Sequence, residues 1–212
     1  MFSSRFDTAL TFAHDLHRRQ TRKTSGVPYI AHLLGVAALV IEDGGSEDES
    51  IGALLHDSLE DQGTRYAGGA DGLSAEIRER FGAEVLRIVD ACTERRTEEE
   101  MRIADKRERW RIHKLAYFDQ IRRSDSSVRR VSCADSLYNV RSLIDGYRRL
   151  GDRIWTRFMT RSGEDQVWAY RTAAAAFQAA EGGVMADELA ATVEQLAGLI
   201  APLQPPPSRE NC

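Results

Sequence analysis

Cysteine is scarce: Cys92, Cys133 and Cys212 are widely spaced and form no Cys-x-x-Cys pattern. This argues against a disulfide framework or a thiolate zinc cluster and leaves reduced thiols as the expectation. No apolar run approaches the length of a bilayer span, and the opening Met-Phe-Ser-Ser-Arg-Phe-Asp carries no hydrophobic signal segment. A cytoplasmic location with no membrane partner is therefore expected. Neither sign of charge dominates: 29 Lys and Arg oppose 33 Asp and Glu, for a net charge of -4. That balance gives no global attraction to nucleic acid, so a polyanionic ligand must be small. Also missing are an internal repeat, a convincing alternating strand pattern and a linker long enough to divide the chain. With 212 residues, 42% of them hydrophobic, one domain over residues 1–200 is expected, followed by a Pro-rich flexible tail over 201–212.

What remains is helical periodicity, and the expected fold class is all-α, a bundle of eight to ten helices. Phe6, Ala9, Leu10, Ala13, Leu16 and His17 recur at helical spacing, and Gly26 and Pro28 mark a loop over 21–28. A second helix runs from Tyr29 to about Ile41, and Ser46-x-x-Glu49 is a capping box that opens a third through Leu59. Four glycines in 61–73 predict a loop, followed by a short helix from Ala75 to Phe81 and another from about Val85. Thr97-x-x-Glu100 is a second capping box; beyond it Met101, Trp110, Ile112, Leu115, Phe118 and Ile121 give a long segment an apolar side. Ser126 or Ser127 caps a helix to about Leu150. Trp155 and Phe158 predict one further helix, Trp168 to Phe177 a second, and residues 187–200 a last.

The most informative stretch is Leu54-Leu55-His56-Asp57-Ser58-Leu59-Glu60-Asp61. Residues four apart share a helical face, so His56 falls beside Glu60 and Asp57 beside Asp61. Burying such charge next to leucines is costly without a counter-charge. His32 in Tyr-Ile-Ala-His-Leu-Leu and Asp135 in Cys-Ala-Asp-Ser-Leu are similarly enclosed by apolar neighbours. One cation would satisfy His32, His56 and two carboxylates together. Two imidazoles and two carboxylates suit Mn²⁺, Fe²⁺ or Zn²⁺ better than Ca²⁺, and six-coordination would leave two positions for water and substrate, as in a catalytic site.

The series His32, His56-Asp57 and Asp135 resembles the H…HD…D signature of the HD-domain phosphohydrolases. Three blocks narrow the match: Arg22-Lys23-Thr24-Ser25-Gly26-Val27-Pro28-Tyr29-Ile30-Ala31-His32, Ala53-Leu54-Leu55-His56-Asp57-Ser58-Leu59-Glu60-Asp61 and Ala134-Asp135-Ser136-Leu137-Tyr138-Asn139. Together they are similar to the (p)ppGpp hydrolase domain of the RelA/SpoT type, in its short, hydrolase-only branch, the small alarmone hydrolases. The resemblance implies an HD-type domain, metal ligation by His32, His56, Asp57 and Asp135, and Mn²⁺ as the ion, other divalent transition metals being alternatives. It implies that Glu60 and Asp61 orient or deprotonate the attacking water. Arg22 would stack on guanine, Lys23, Ser25 and Asn139 would contact the nucleotide, and Tyr29 would line the pocket. The implied reaction converts a small guanosine nucleotide, (p)ppGpp, to GDP or GTP and pyrophosphate. No serine or cysteine nucleophile is required.

The chain departs from the family pattern in two places. Thr24 is one residue more than the tightest form of the first loop, which opens Arg22 to displacement. Ser132 and Ser136 stand where the family usually carries cations, so that substitutes are sought among Lys106, Arg107, Arg109, Arg111, Lys114, Arg122 and Arg123. Two alternatives follow: an HD hydrolase for a nucleoside monophosphate or phosphorylated dinucleotide, and a non-catalytic nucleotide-binding domain.

Overall fold

A computed structural model describes residues 2–180 and 182–201, and the expected tail over 201–212 falls, except for Ala201, outside the described residues. The described chain is all-helical: α1 (Ser4–Leu16), α2 (Ile30–Glu42), α3 (Glu47–Leu55), α4 (Ser58–Gln62), α5 (Gly69–Phe81), α6 (Ala83–Cys92), α7 (Glu98–Arg102), α8 (Lys106–Arg123), α9 (Ser126–Leu150), α10 (Gly163–Ala180) and α11 (Val184–Ile200). Its one β-type feature is an isolated bridge between Thr21 and Pro28. No described helix is long and apolar enough to cross a membrane.

The 25-residue α9 is the axis of the bundle and packs against α2, α3, α6, α8, α10 and α11. Its N-cap is Asp125, whose carboxylate accepts from Ser127 N–H and Val128 N–H, rather than either serine named above. A carboxylate at this position answers two free N–H groups and the positive helix end at once. Helix α3 lies against it with Ser50 to Leu55 entirely buried, capped by the Ser46/Glu49 box as its sequence requires.

Several element boundaries differ from expectation for identifiable reasons. The third helix stops at Leu55 instead of Leu59, because the Ala53 carbonyl, which a continuing helix would offer to Asp57 N–H, accepts from His56 Nδ1 at 2.8 Å. Helix α5 begins at Gly69, six residues early. Its glycines lower local propensity, but buried Leu73 and Ile77 anchor it. The Thr97 box caps only the five-residue α7, and α8 has its own cap at Asp105. On α8 the buried side is His113, Phe118 and Ile121, while Met101 in α7 and Ile112 and Leu115 in α8 are exposed. Trp155 lies in a 3₁₀ turn rather than a helix, and Phe158 closes it.

One close approach fixes the site's geometry. A Cβ on Gly35 would lie 1.9 Å from Cε2 of Tyr138, whose hydroxyl donates to the Ala31 carbonyl at 3.1 Å. Gly35→Ala gains about 1 kcal/mol of helix propensity. The clash leaves only displacement of the ring, and overpacking at such a site costs about 1–3 kcal/mol or more. Net destabilisation, read as a lowered midpoint in thermal unfolding, is the expected outcome.

Candidate metal centre and cleft

The tight turn between α3 and α4 carries the His-Asp pair. At its first position His56 donates Nδ1–H to the Ala53 carbonyl, which fixes the tautomer and leaves Nε2 aimed inward. That Nε2 is buried and without a hydrogen-bond partner. From α2, His32 brings its Nε2 to the same point; from α9, Asp135 brings Oδ1. Ligand atoms of His32, His56 and Asp135 all lie within 4.8 Å of one another. Asp57 is not in that mutually close trio, but its Oδ2 stands 3.3 Å from His32 Nε2 and 3.1 Å from His56 Nε2, while Asp135 Oδ1 stands 3.2 and 3.4 Å from the same atoms.

The four atoms thus alternate nitrogen and oxygen around a ring. Nitrogen and oxygen atoms spaced like this can share one transition-metal ion, whose bonds to such donors are about 2.0–2.2 Å. His56 Nε2 makes no hydrogen bond, although carboxylate oxygens of Asp57 and Asp135 stand 3.1 and 3.4 Å away. The donor set therefore fits a divalent cation. Burial alone would lower the His56 imidazole, but the Asp57 and Asp135 carboxylates hold it well above its ordinary value. Burial would raise both carboxyls, yet the two imidazoles hold Asp57 and Asp135 below the usual range. A cation must displace the His56 proton, so its binding weakens as pH falls.

Glu60 and Asp61 follow on α4, whose first turn closes through Asp61 N–H to the Asp57 carbonyl at 2.9 Å. Glu60 accepts from Glu94 N–H at 3.3 Å. Its carboxyl is pushed up to about 7, first by desolvation in the cleft and then by the negative charges of Glu94 and Asp57. The residue is open to cleft water, and screening there reduces the energetic weight of the shift. Asp61 accepts from Gln20 Nε2 at 2.6 Å.

Tyr29 donates its hydroxyl to Asp57 Oδ2 at 2.6 Å and sits edge-on to His32. The Arg22 guanidinium lies 5.6 Å from the Tyr29 ring and 5.9 Å from that of Tyr138. It donates to Asn139 Oδ1 at 2.6 Å, and Asn139 Nδ2 donates onward to Asp135 Oδ1 at 2.7 Å. With the extra loop residue in place, Arg22 lines the cleft. Thr24 is buried, its hydroxyl meets Ser142 Oγ at 2.7 Å, and its carbonyl and that of Lys23 accept from Arg157. Ser25 lies outside the cleft lining; its hydroxyl accepts weakly from Val27 N–H at 3.5 Å within the turn.

These groups border a cleft of about 350 Å³ lined by His32, Asp57, Glu60, Asp135, Asn139, Arg22, Lys23 and Tyr29. A side chamber of about 210 Å³ reaches Gln20, Thr24 and Asp61. Of the seven cations considered on α8, only Lys114 lines the main cleft; Lys106 and Arg109 line a small hollow beside it. Ser132 turns away and meets Cys92 Sγ at 3.5 Å. Sequence reasoning missed Arg96, Glu94 and Gln20, which lie in irregular segments with no periodicity to flag them, and Arg157, which ends the 3₁₀ turn. A hollow of about 370 Å³ around Arg129, Arg130 and Cys133 offers a single carboxylate and no imidazole, so it does not compete as a metal centre.

Comparisons with known proteins give the family. Residues 9–164 match the family described as HD domain. Over 138 residues the chain is 36% identical to the human guanosine-3′,5′-bis(diphosphate) 3′-pyrophosphohydrolase MESH1, covering 64% of this chain and 67% of that protein. Over 85 residues it is 45% identical to the guanosine-3′,5′-bis(diphosphate) 3′-pyrophosphohydrolase of Aquifex aeolicus, 40% of this chain but 11% of that longer protein. Among solved structures, a metazoan ortholog of SpoT that hydrolyzes ppGpp superposes with a TM-score of 0.68 at 21% identity, covering 94% of this chain and 98% of the other. At that identity the likeness shows a shared fold.

Proposed function

Since the chain belongs to the HD-domain family, we propose that it is a metal-dependent phosphohydrolase that removes the 3′-pyrophosphate of (p)ppGpp, giving GDP or GTP and pyrophosphate. The observation that carries this reading is the nitrogen-oxygen ring of His32, Asp57, His56 and Asp135 at the edge of a cleft that also holds Glu60, Arg22 and Lys23. The names of the relatives support the substrate. A divalent transition metal, Mn²⁺ on the family resemblance, supplies Lewis acidity at the phosphoryl group when bound.

The chain's own residues do the rest. Glu60, whose carboxyl is pushed up to about 7, accepts the proton of the attacking water, and Asp61 orients that water. The water oxygen joins the 3′ phosphorus, the bond to the ribose 3′ oxygen breaks, and pyrophosphate leaves intact while the ribose oxygen takes up a proton. Planar Arg22 stacks on the guanine, tied through Asn139 to Asp135, so base recognition and the metal ligands form one hydrogen-bonded unit. Lys23 faces the phosphates. No side-chain nucleophile is needed, and the buried thiols of Cys92 and Cys133, pushed up to about 11 and about 12 by desolvation, are poor ones.

Ser132 and Ser136 favour a second reading, an HD hydrolase for a less charged nucleotide. Lys114, Arg96 and Arg157 on the cleft wall offset the missing cations and favour the first. A side-by-side assay of ppGpp, nucleoside monophosphates and phosphorylated dinucleotides with Mn²⁺ separates the two. Pyrophosphate release from ppGpp is expected, and turnover of another member with none of ppGpp would overturn the substrate assignment.

A further inference from the structure

Gln20 lies outside every motif of the sequence and has no part in the mechanism above, yet its side chain is fully engaged. Its Oε1 faces His17 Nδ1 at 2.8 Å and accepts from Gln62 Nε2 at 2.6 Å, and its Nε2 donates to Asp61 Oδ2 at 2.6 Å. The amide has one sensible orientation. Turned over, it would present a carbonyl oxygen to an ionised carboxylate and its NH₂ to the Gln62 NH₂. His17, which is buried, stacks on Tyr29 with ring centres 5.1 Å apart, and Gln62 is buried beside it. Desolvation lowers the His17 imidazole, so it stands neutral, with Nδ1–H donating.

We propose that Gln20 is a positioning residue for Asp61: its amide, oriented by His17 and Gln62, holds the Asp61 carboxylate toward the attacking water. This rests on the reading of Asp61 as a water-orienting group. Two buried polar side chains, His17 and Gln62, and the half-buried Gln20 are costly to desolvate, and Asp61 is the charged group toward which the network converges. The same loop carries a second tie. The Gln20 carbonyl accepts from Tyr29 N–H at 2.9 Å, and Tyr29 donates to Asp57 Oδ2. Opposite sides of one loop base thus each hold one carboxylate of the catalytic turn, which links the segment bearing Arg22 to the alignment of Asp61.

The test is steady-state hydrolysis of ppGpp by Mn²⁺-loaded protein carrying Gln20→Met or Gln20→Glu, both near the native size. A misaligned water-orienting group lowers kcat by about 10- to 100-fold, with KM and bound metal within about twofold of wild type. Gln20→Glu keeps an acceptor for His17 and Gln62 but sets a carboxylate against Asp61, so it is expected to lose at least as much kcat as Gln20→Met. Wild-type kcat in Gln20→Met would overturn the proposal, as would a loss confined to KM or to metal content. Wild-type protein that hydrolyses no ppGpp would refute the proposed function itself, whereas active wild type with an unimpaired Gln20→Met variant refutes this inference alone.

Discussion

Replacing His56 by alanine is expected to abolish hydrolysis and metal retention together. The side chain is buried, its Nδ1 is committed to the Ala53 carbonyl, and its Nε2 completes the ring with Asp57 and Asp135. Losing the ion forfeits several kcal/mol of charge stabilisation in the transition state, so kcat/KM should fall by about a thousandfold or more. Metal analysis of the purified variant, alongside the assay, checks this. The variant also leaves two carboxylates facing a single imidazole, so its thermal midpoint without added metal should drop. Full metal content with wild-type turnover would show that the ring is not the metal centre.

Glu60→Gln is expected to behave differently. It lines the cleft without belonging to the ring, so metal content and KM should persist while kcat falls by about 10²- to 10⁴-fold, the range for losing a general base. Glu60 acts only when ionised. Activity should therefore rise with pH through its titration, at or below about 7 because a bound cation favours the carboxylate. Glu60→Gln should lose that acidic limb. Stability should move the opposite way. In the metal-free protein the folded-state carboxyl is raised above its unfolded value, so stability is lost as pH climbs from the ordinary carboxyl range to about 7. Above that pH the glutamine variant should therefore melt higher than wild type. A variant that is slower yet more stable would mark a functional residue that opposes folding.

The all-helical class was legible because apolar residues recur with the period of a helix, and the Ser46 box and the Gly82 stop act as their chemistry predicts. The grouping of His32, His56 and Asp135 was legible too, since polar groups enclosed by leucine, alanine and isoleucine must find partners, and they find one another. Local side-chain competition was not. The break at His56 depends on an imidazole taking a backbone carbonyl, an event no periodicity records. Nor was the outward turn of Ile112 and Leu115 legible, because residue type fixes apolarity and tertiary packing decides which face is covered. Gln20 and Glu94 act from segments outside the helices, where side-chain direction is set by loop closure, and Arg157 acts from the end of a short 3₁₀ turn.

The most direct test of the whole account is a metal titration. Chelator-treated protein is mixed with ppGpp, Mn²⁺ is added in steps, and pyrophosphate and GDP are quantified together. The account predicts no hydrolysis without metal, then equal amounts of both products, rising to a plateau as one ion binds each chain. Hydrolysis that persists in the metal-free protein, or a fully metallated protein that releases no pyrophosphate from ppGpp, would contradict it.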